Sequence, residues 1–322
     1  MVDKKFYNTV LSQVFSPCGN WLICGCIYGD IAIFDLKSIL KDNENADKVP
    51  KHIYTVPNKE QVCSLSSSDK FLIVGTVGAI FGLDWDTIKS LSPQVSWTIT
   101  LPTSNDKLLK TDVNSMFVKE NAELYAGCGD CTIYAFSLED GKMIRNYKGH
   151  TDYIHSITTN EQIMASASED GSVRLWDFRQ PGMTNMLEPS KDPKLSRPHL
   201  GKWIGDVDLT QDWMVCGGGP GLGLWHLRTL EMMSIFNSTS DNIFHITKLQ
   251  GGSVLAGGSG NHFYQLSYTG QVLSKLQTSS STIYSALYTT TPNEVLTLAG
   301  ASSSIDICTN FTYSHQVVSF YS

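Results

Sequence analysis

One structural unit recurs seven times along the 322 residues, and no other feature restricts the fold so strongly. The unit is a short alternating strand, a turn, a strand ending in small residues, a tight turn, and a third strand ending in a large side chain. The third-strand landmarks are Phe34, Trp85, Phe136, Trp176, Trp225, Tyr264 and, by position, Cys308, at intervals of 39 to 51 residues. The small-residue strands before them run Leu22–Gly25, Leu72–Gly75, Leu124–Gly127, Met164–Ala167, Met214–Gly217, Leu255–Gly258 and Leu296–Gly300. Each unit alternates with period two between Gly, Asp, Asn and Ser turns, as a strand meander does. Small residues where sheets crowd together and large ones where they diverge fit the taper of a propeller. No segment has helical periodicity over 11 or more residues. The reading is an all-β, seven-bladed propeller filling residues 1–322, with blades at approximately 9–55, 56–107, 108–148, 149–190, 191–238, 239–278 and 279–322. A last strand at His315–Phe320 completes the final blade from the C-terminal side and leaves Val2–Asn8 free.

Composition narrows the function. Hydrophobic residues make up 41% and charged ones 17%, enough apolar material for a large core and too little charge for disorder. No apolar run approaches the roughly 18 residues that cross a bilayer, and the first residues lack a secretory pattern. A soluble intracellular protein without a membrane partner is expected. The net charge is −7, and only five of the 24 basic residues are arginine. A domain that grips nucleic acid shows a basic stripe, so the expected partners are proteins, with RNA reached only indirectly. The eight cysteines are scattered and read as small buried hydrophobes rather than a disulfide framework.

The fourth unit is the clearest. Gly149-His150 opens it, Ser166-Ala167-Ser168-Glu169-Asp170-Gly171 spans its second turn, and Trp176-Asp177 closes it. This resembles the WD40 repeat. The resemblance implies a buried network of His150, Asp170, Ser166 or Ser168, and Trp176. Imidazole can bridge a carboxylate and a hydroxyl, and a buried indole N–H needs an acceptor. The other units depart from the pattern, carrying Tyr28, Ala79, Asp130, Gly219 and Ser302 at the turn position, Asp130 alone keeping the aspartate there, so blade four alone should carry the complete network.

Four constellations invite chemical readings. Cys128-Gly129-Asp130-Cys131 has the spacing of a metal or redox pair, but it lacks a second ligand pair and sits on a hairpin turn. Cys24-Gly25-Cys26 reads the same way. Gly217-Gly218-Gly219-Pro220-Gly221-Leu222-Gly223 opens a strand rather than the helix that a phosphate loop needs. His150, Asp170 and Ser168 resemble a catalytic triad in composition only, since the network is interior to a blade. The expectation is no catalytic residue, cofactor, metal or small-molecule substrate. The stretch Arg197-Pro198-His199-Leu200-Gly201-Lys202-Trp203 stands apart. It closes an insertion, Pro181 to Lys202, of a length that is usually functional or disordered. Aligning Trp203 with Tyr153 puts both at the entrance of a first strand. Tyr153, Arg197 and Trp203 are therefore the candidate partner-binding residues, being types enriched in binding hot spots. Asp42–Lys51 and Ser104–Asp112 read as solvated connectors.

Four stretches also resemble the family of WD-repeat subunits of the THO complex, which takes part in mRNA processing and nuclear export. They are Phe15–Gly19, Tyr28–Phe34, Gly149–His155 and, longest and most specific, Ser196–His199 through Lys202–Gly205 to Asp212–Pro220 and Leu224–Arg228. The resemblance implies a nuclear, non-catalytic scaffold that docks on elongated helical THO subunits. The alternative reading is a peptide reader or ubiquitin-ligase substrate adaptor, with Asp112, Tyr153 and Trp203 around the channel mouth.

Overall fold

The computed structural model describes residues 3–41, 48–102, 110–237 and 242–321. Seven four-stranded antiparallel sheets, each a meander of consecutive strands, make a seven-bladed β-propeller. The blades span residues 10–55, 62–100, 113–148, 154–187, 204–235, 244–277 and 283–319. Gln316–Ser319 is the fourth strand of the last blade and pairs with Ser304–Cys308. The connectors at Asp42–Lys51 and Ser104–Asp112 fall largely on residues outside the described set, as does Val2.

The chain divides into two compact units, Met1–Val113 with Leu276–Ser322, and Asn114–Lys275. In the first unit, blade one packs against blades two and seven. Cys24, Cys26, Ala32, Phe34, Ala299, Ile305 and Phe320 fill one such interface, and Ile23, Ile33, Val62, Val74 and Trp85 another. Small second-strand residues make this approach possible. A Cβ on Gly25 would lie 2.3 Å from Val62 Cγ1. Gly25→Ala should therefore overpack the interface and lower stability by about 1–3 kcal/mol. Denaturant melts of G25A and of G25A with Val62→Ala check this, since the second change should restore part of the loss.

In the second unit, first strands are stitched across blades by side chains. The Asp206 carboxylate accepts from Ser156 Oγ at 2.5 Å and from Thr247 N at 2.8 Å. Asp208 repeats the bracket with Thr158 Oγ1 and Leu249 N. Each aspartate joins three consecutive blades, which satisfies buried polar groups that a purely apolar interface would orphan.

Two expectations change. Strand register opposes Leu72 with Leu83 and Val254 with Leu266, as Met164 opposes Trp176. The large third-strand positions in blades two and six are thus Leu83 and Leu266, each two residues from the aromatic read in sequence. Trp85 instead starts a short helix, Trp85–Lys89, capped by the Asp84 carboxylate, and Asp35 caps a second, Leu36–Ile39. Such one-turn helices are too short to leave a periodic signal. Nor is the N-terminal segment free over its described residues. Lys4 pairs with Asp30 at 2.7 Å, Ser303 Oγ donates to Lys5 O, and Tyr28 Oη donates to Tyr7 O.

Candidate partner-binding surface

Blade four carries a polar relay whose proton positions follow from chemistry. The Trp176 indole N–H only donates, so Ser166 Oγ accepts it, at 2.9 Å. The Ser166 hydroxyl then donates to His150 Nε2 at 2.7 Å, and His150 Nδ1–H donates to Asp170 Oδ2 at 2.8 Å. Asp170 also accepts from Thr151 N, Ser172 N and Ser172 Oγ. Burial works against its charge, but the donors from His150 and Ser172 win and hold this carboxyl well below the usual carboxylate range. Burial lowers His150, so it stays neutral and the relay runs in one direction. Ser168 lies outside the relay; its Oγ donates to Asp152 O and accepts from Asp170 N. Blades three and two fill the place differently: Tyr134 Oη donates to Asp130, and Asn58 Nδ2 to Thr76. Ser166 is fully buried, so its hydroxyl cannot meet a substrate.

The insertion is structured. Its first part, Met183–Leu187, is the fourth strand of blade four, and two 3-10 turns follow at Pro189–Lys191 and Pro198–Leu200. Leu195 anchors it in the core between blades four and five. Arg197 turns inward. Its guanidinium donates to the carbonyls of Gly218, Gly219, Pro220 and Asn242 at 2.7–2.9 Å. The glycine-rich stretch is the hairpin beneath it, joining Trp213–Gly218 to Gly223–His226. A Cβ on Gly219 would lie 2.5 Å from Gly201 O, so only glycine lets the insertion settle there.

Tyr153 is half exposed, while Trp203 is partly buried and donates its indole N–H to Leu200 O. Two residues missed in the sequence flank Trp203. His245 stacks on its ring with centroids 5.5 Å apart, and His155 meets it edge-on at 6.0 Å while bonding Glu169 at 2.8 Å. Both histidines occupy a first-strand bulge, the extra residue between the register partners Ile154 and Ser156, or Phe244 and Ile246. The signal was the recurrence of this position one residue past each first-strand entrance. Burial, with repulsion from His155, pushes His245 down from its ordinary 6.5 to about 4.

That depression has a signed consequence. Above pH 6.5 the imidazole is neutral both folded and unfolded. As pH falls from 6.5 toward 4, the unfolded chain binds a proton that the folded chain does not. Between pH 7 and pH 5, stability should decline by about 2 kcal/mol from this group. Melting temperatures of wild type and His245→Gln at pH 7 and pH 5 check it, the variant showing the shallower drop.

Among the described residues, no group of three or more His, Cys, Asp or Glu could hold a metal, and no helix is long and apolar enough to cross a membrane. Buried Cys128 and partly exposed Cys131 bracket a turn, with Cys131 at φ 64°.

Comparisons with known proteins place this architecture. The WD domain, G-beta repeat family matches residues 141–177, from the outer strand of blade three through the third strand of blade four, and so includes the relay. "THO complex subunit 6" of Drosophila melanogaster is 38% identical over 322 residues, covering 99% of this chain and 91% of that protein. The Homo sapiens protein of that name is 34% identical, covering 98% and 94%. The Danio rerio homologue is 32% identical, covering 98% and 99%. With such identity over nearly its whole length, the chain belongs to the THO complex subunit 6 family of WD-repeat propellers.

Proposed function

We propose that the chain is a non-catalytic scaffold subunit of a nuclear THO complex, holding other subunits of that assembly and reaching RNA through them. The observation that carries this is kinship over essentially the full length with proteins named THO complex subunit 6. The docking surface in this reading comprises Tyr153, exposed at the entrance to the first strand of blade four, and Trp203, at the entrance to that of blade five. Arg197 contributes by fixing the loop under Trp203, so the aromatics are presented without a large ordering cost on binding.

Co-purification of the tagged full chain with the other THO subunits tests both statements. Wild type should recover them. Tyr153→Ala should melt like wild type and weaken recovery by tenfold or more, since a hot spot contributes about 2 kcal/mol or above. Recovery of none of these subunits by wild type would sink the reading, and undiminished recovery by Y153A would sink the surface. A further expectation follows from the net charge of −7. The purified chain should show no submicromolar, salt-sensitive affinity for single-stranded RNA in a filter-binding titration near physiological salt.

A further inference from the structure

The fourth strand of a blade is a sheet edge, and in the second unit these edges are unusually apolar. Met143 and Ile144 in blade three and Met183 and Met186 in blade four are between 42% and 52% exposed. Blades three and four also carry three of the chain's five arginines, Arg145, Arg174 and Arg179. Arg145 reaches from the edge of blade three to Phe178 O of blade four at 3.1 Å. Arg174 Nη1 lies 3.7 Å from Met183 Sδ. The floor between the two edges is aromatic, with Tyr147 and Trp176 centroids 5.7 Å apart. Polarizable methionines over an aromatic floor make an adaptable apolar surface.

Arg174 and Arg179 are paired with Asp170 and Asp177, but the charge of the two edge strands runs against that of the protein. These strands, Met143–Lys148 and Met183–Leu187, hold Arg145 and Lys148 and no carboxylate. Among the described residues neither cation has a carboxylate within ion-pair distance. In a chain with 31 acidic residues, a cationic and apolar cleft selects an occupant of opposite charge. Arg145 and Lys148 on the outermost strand also discourage edge-to-edge strand addition. The geometry points to a docking groove between the outer edges of blades three and four, for an amphipathic helix of a partner protein. That helix carries Leu or Met on one face and Glu or Asp beside it. The assignment deepens the scaffold reading by naming a second contact and the chemistry of its occupant.

A peptide titration tests the groove independently of complex membership. The probe is a fluorescent 20-residue helical peptide with leucines at helical spacing, flanked by glutamates, and a twin with lysines in their place. The full chain should bind the glutamate peptide at least tenfold more tightly than the lysine twin. Arg145→Glu should reverse that preference, and Met183→Ser with Met186→Ser should weaken binding at least fivefold. Met233→Ser, on the outer strand of blade five, should change nothing. Equal binding of the two peptides, or an Arg145→Glu variant of wild-type melting temperature that binds like wild type, overturns the groove. If wild type binds the glutamate peptide as described yet recovers no THO subunit, the groove stands and the THO reading falls.

Discussion

Trp176→Ala should be the most destabilising single change in blade four, costing about 3–5 kcal/mol. The indole is almost wholly buried among Tyr125, Ile133, Tyr147, Ile154 and Met164, which belong to blades three and four. Truncation empties the wedge and also removes the donor that orients Ser166. Asp170→Ala attacks the other end of the relay. It leaves the His150 Nδ1–H, two backbone N–H groups and the Ser172 hydroxyl short of their acceptor, at about 1–3 kcal/mol for buried groups left unsatisfied. A double-mutant cycle in urea separates packing from the relay. If the two act through Ser166 and His150, the double variant should lose less than the sum of the singles. Unchanged melts for both singles would show that the relay does not hold the blade together.

The repeat was legible because its physical cause is periodic. Small second-strand residues such as Gly25 allow one blade to approach the next, and a large third-strand side chain fills the wider gap beyond. The relay of blade four was legible for a different reason: its His, Ser, Asp and Trp stand where the resemblance to the WD40 repeat implies a buried network, and their donors and acceptors are compatible with one. Where aromatics stand near the landmark without occupying it, the reading slipped, as at Trp85 and Tyr264. An aromatic two residues along is on the same face of a strand, so alternation alone cannot separate the positions. The methionine-lined edges stayed hidden because outer strands alternate only weakly, and exposure of Met143 or Met186 depends on what the neighbouring blade leaves uncovered. Arg197 was conspicuous in sequence, but its direction was not. Four carbonyls converge on it only because the insertion folds back over the glycine hairpin, and no local pattern records that return.

Arg197→Ala should consequently act on the fold, destabilising the chain by about 3 kcal/mol, since hydrogen bonds to a charged group contribute about 1.5–3 kcal/mol each and water replaces part of the loss. The guanidinium joins residues 197, 218–220 and 242, which belong to the insertion, the blade-five hairpin and the approach to blade six. Its planar fork reaches several acceptors at once. Lysine offers a single ammonium on a flexible stem, so Arg197→Lys should recover less than half of the loss. Hydrogen exchange locates the damage: amides from 195 to 203 and from 217 to 223 should lose protection in R197A, while those of the blade-one strands keep theirs. Trp203 rests on this platform through its bond to Leu200 O and its stack on His245. R197A should therefore weaken recovery of the other THO subunits together with stability, whereas Tyr153→Ala weakens recovery at constant stability. An R197A protein that melts like wild type and keeps normal exchange in both segments would show that the four carbonyl bonds contribute little. It would return Arg197 to the pool of side chains available to a partner.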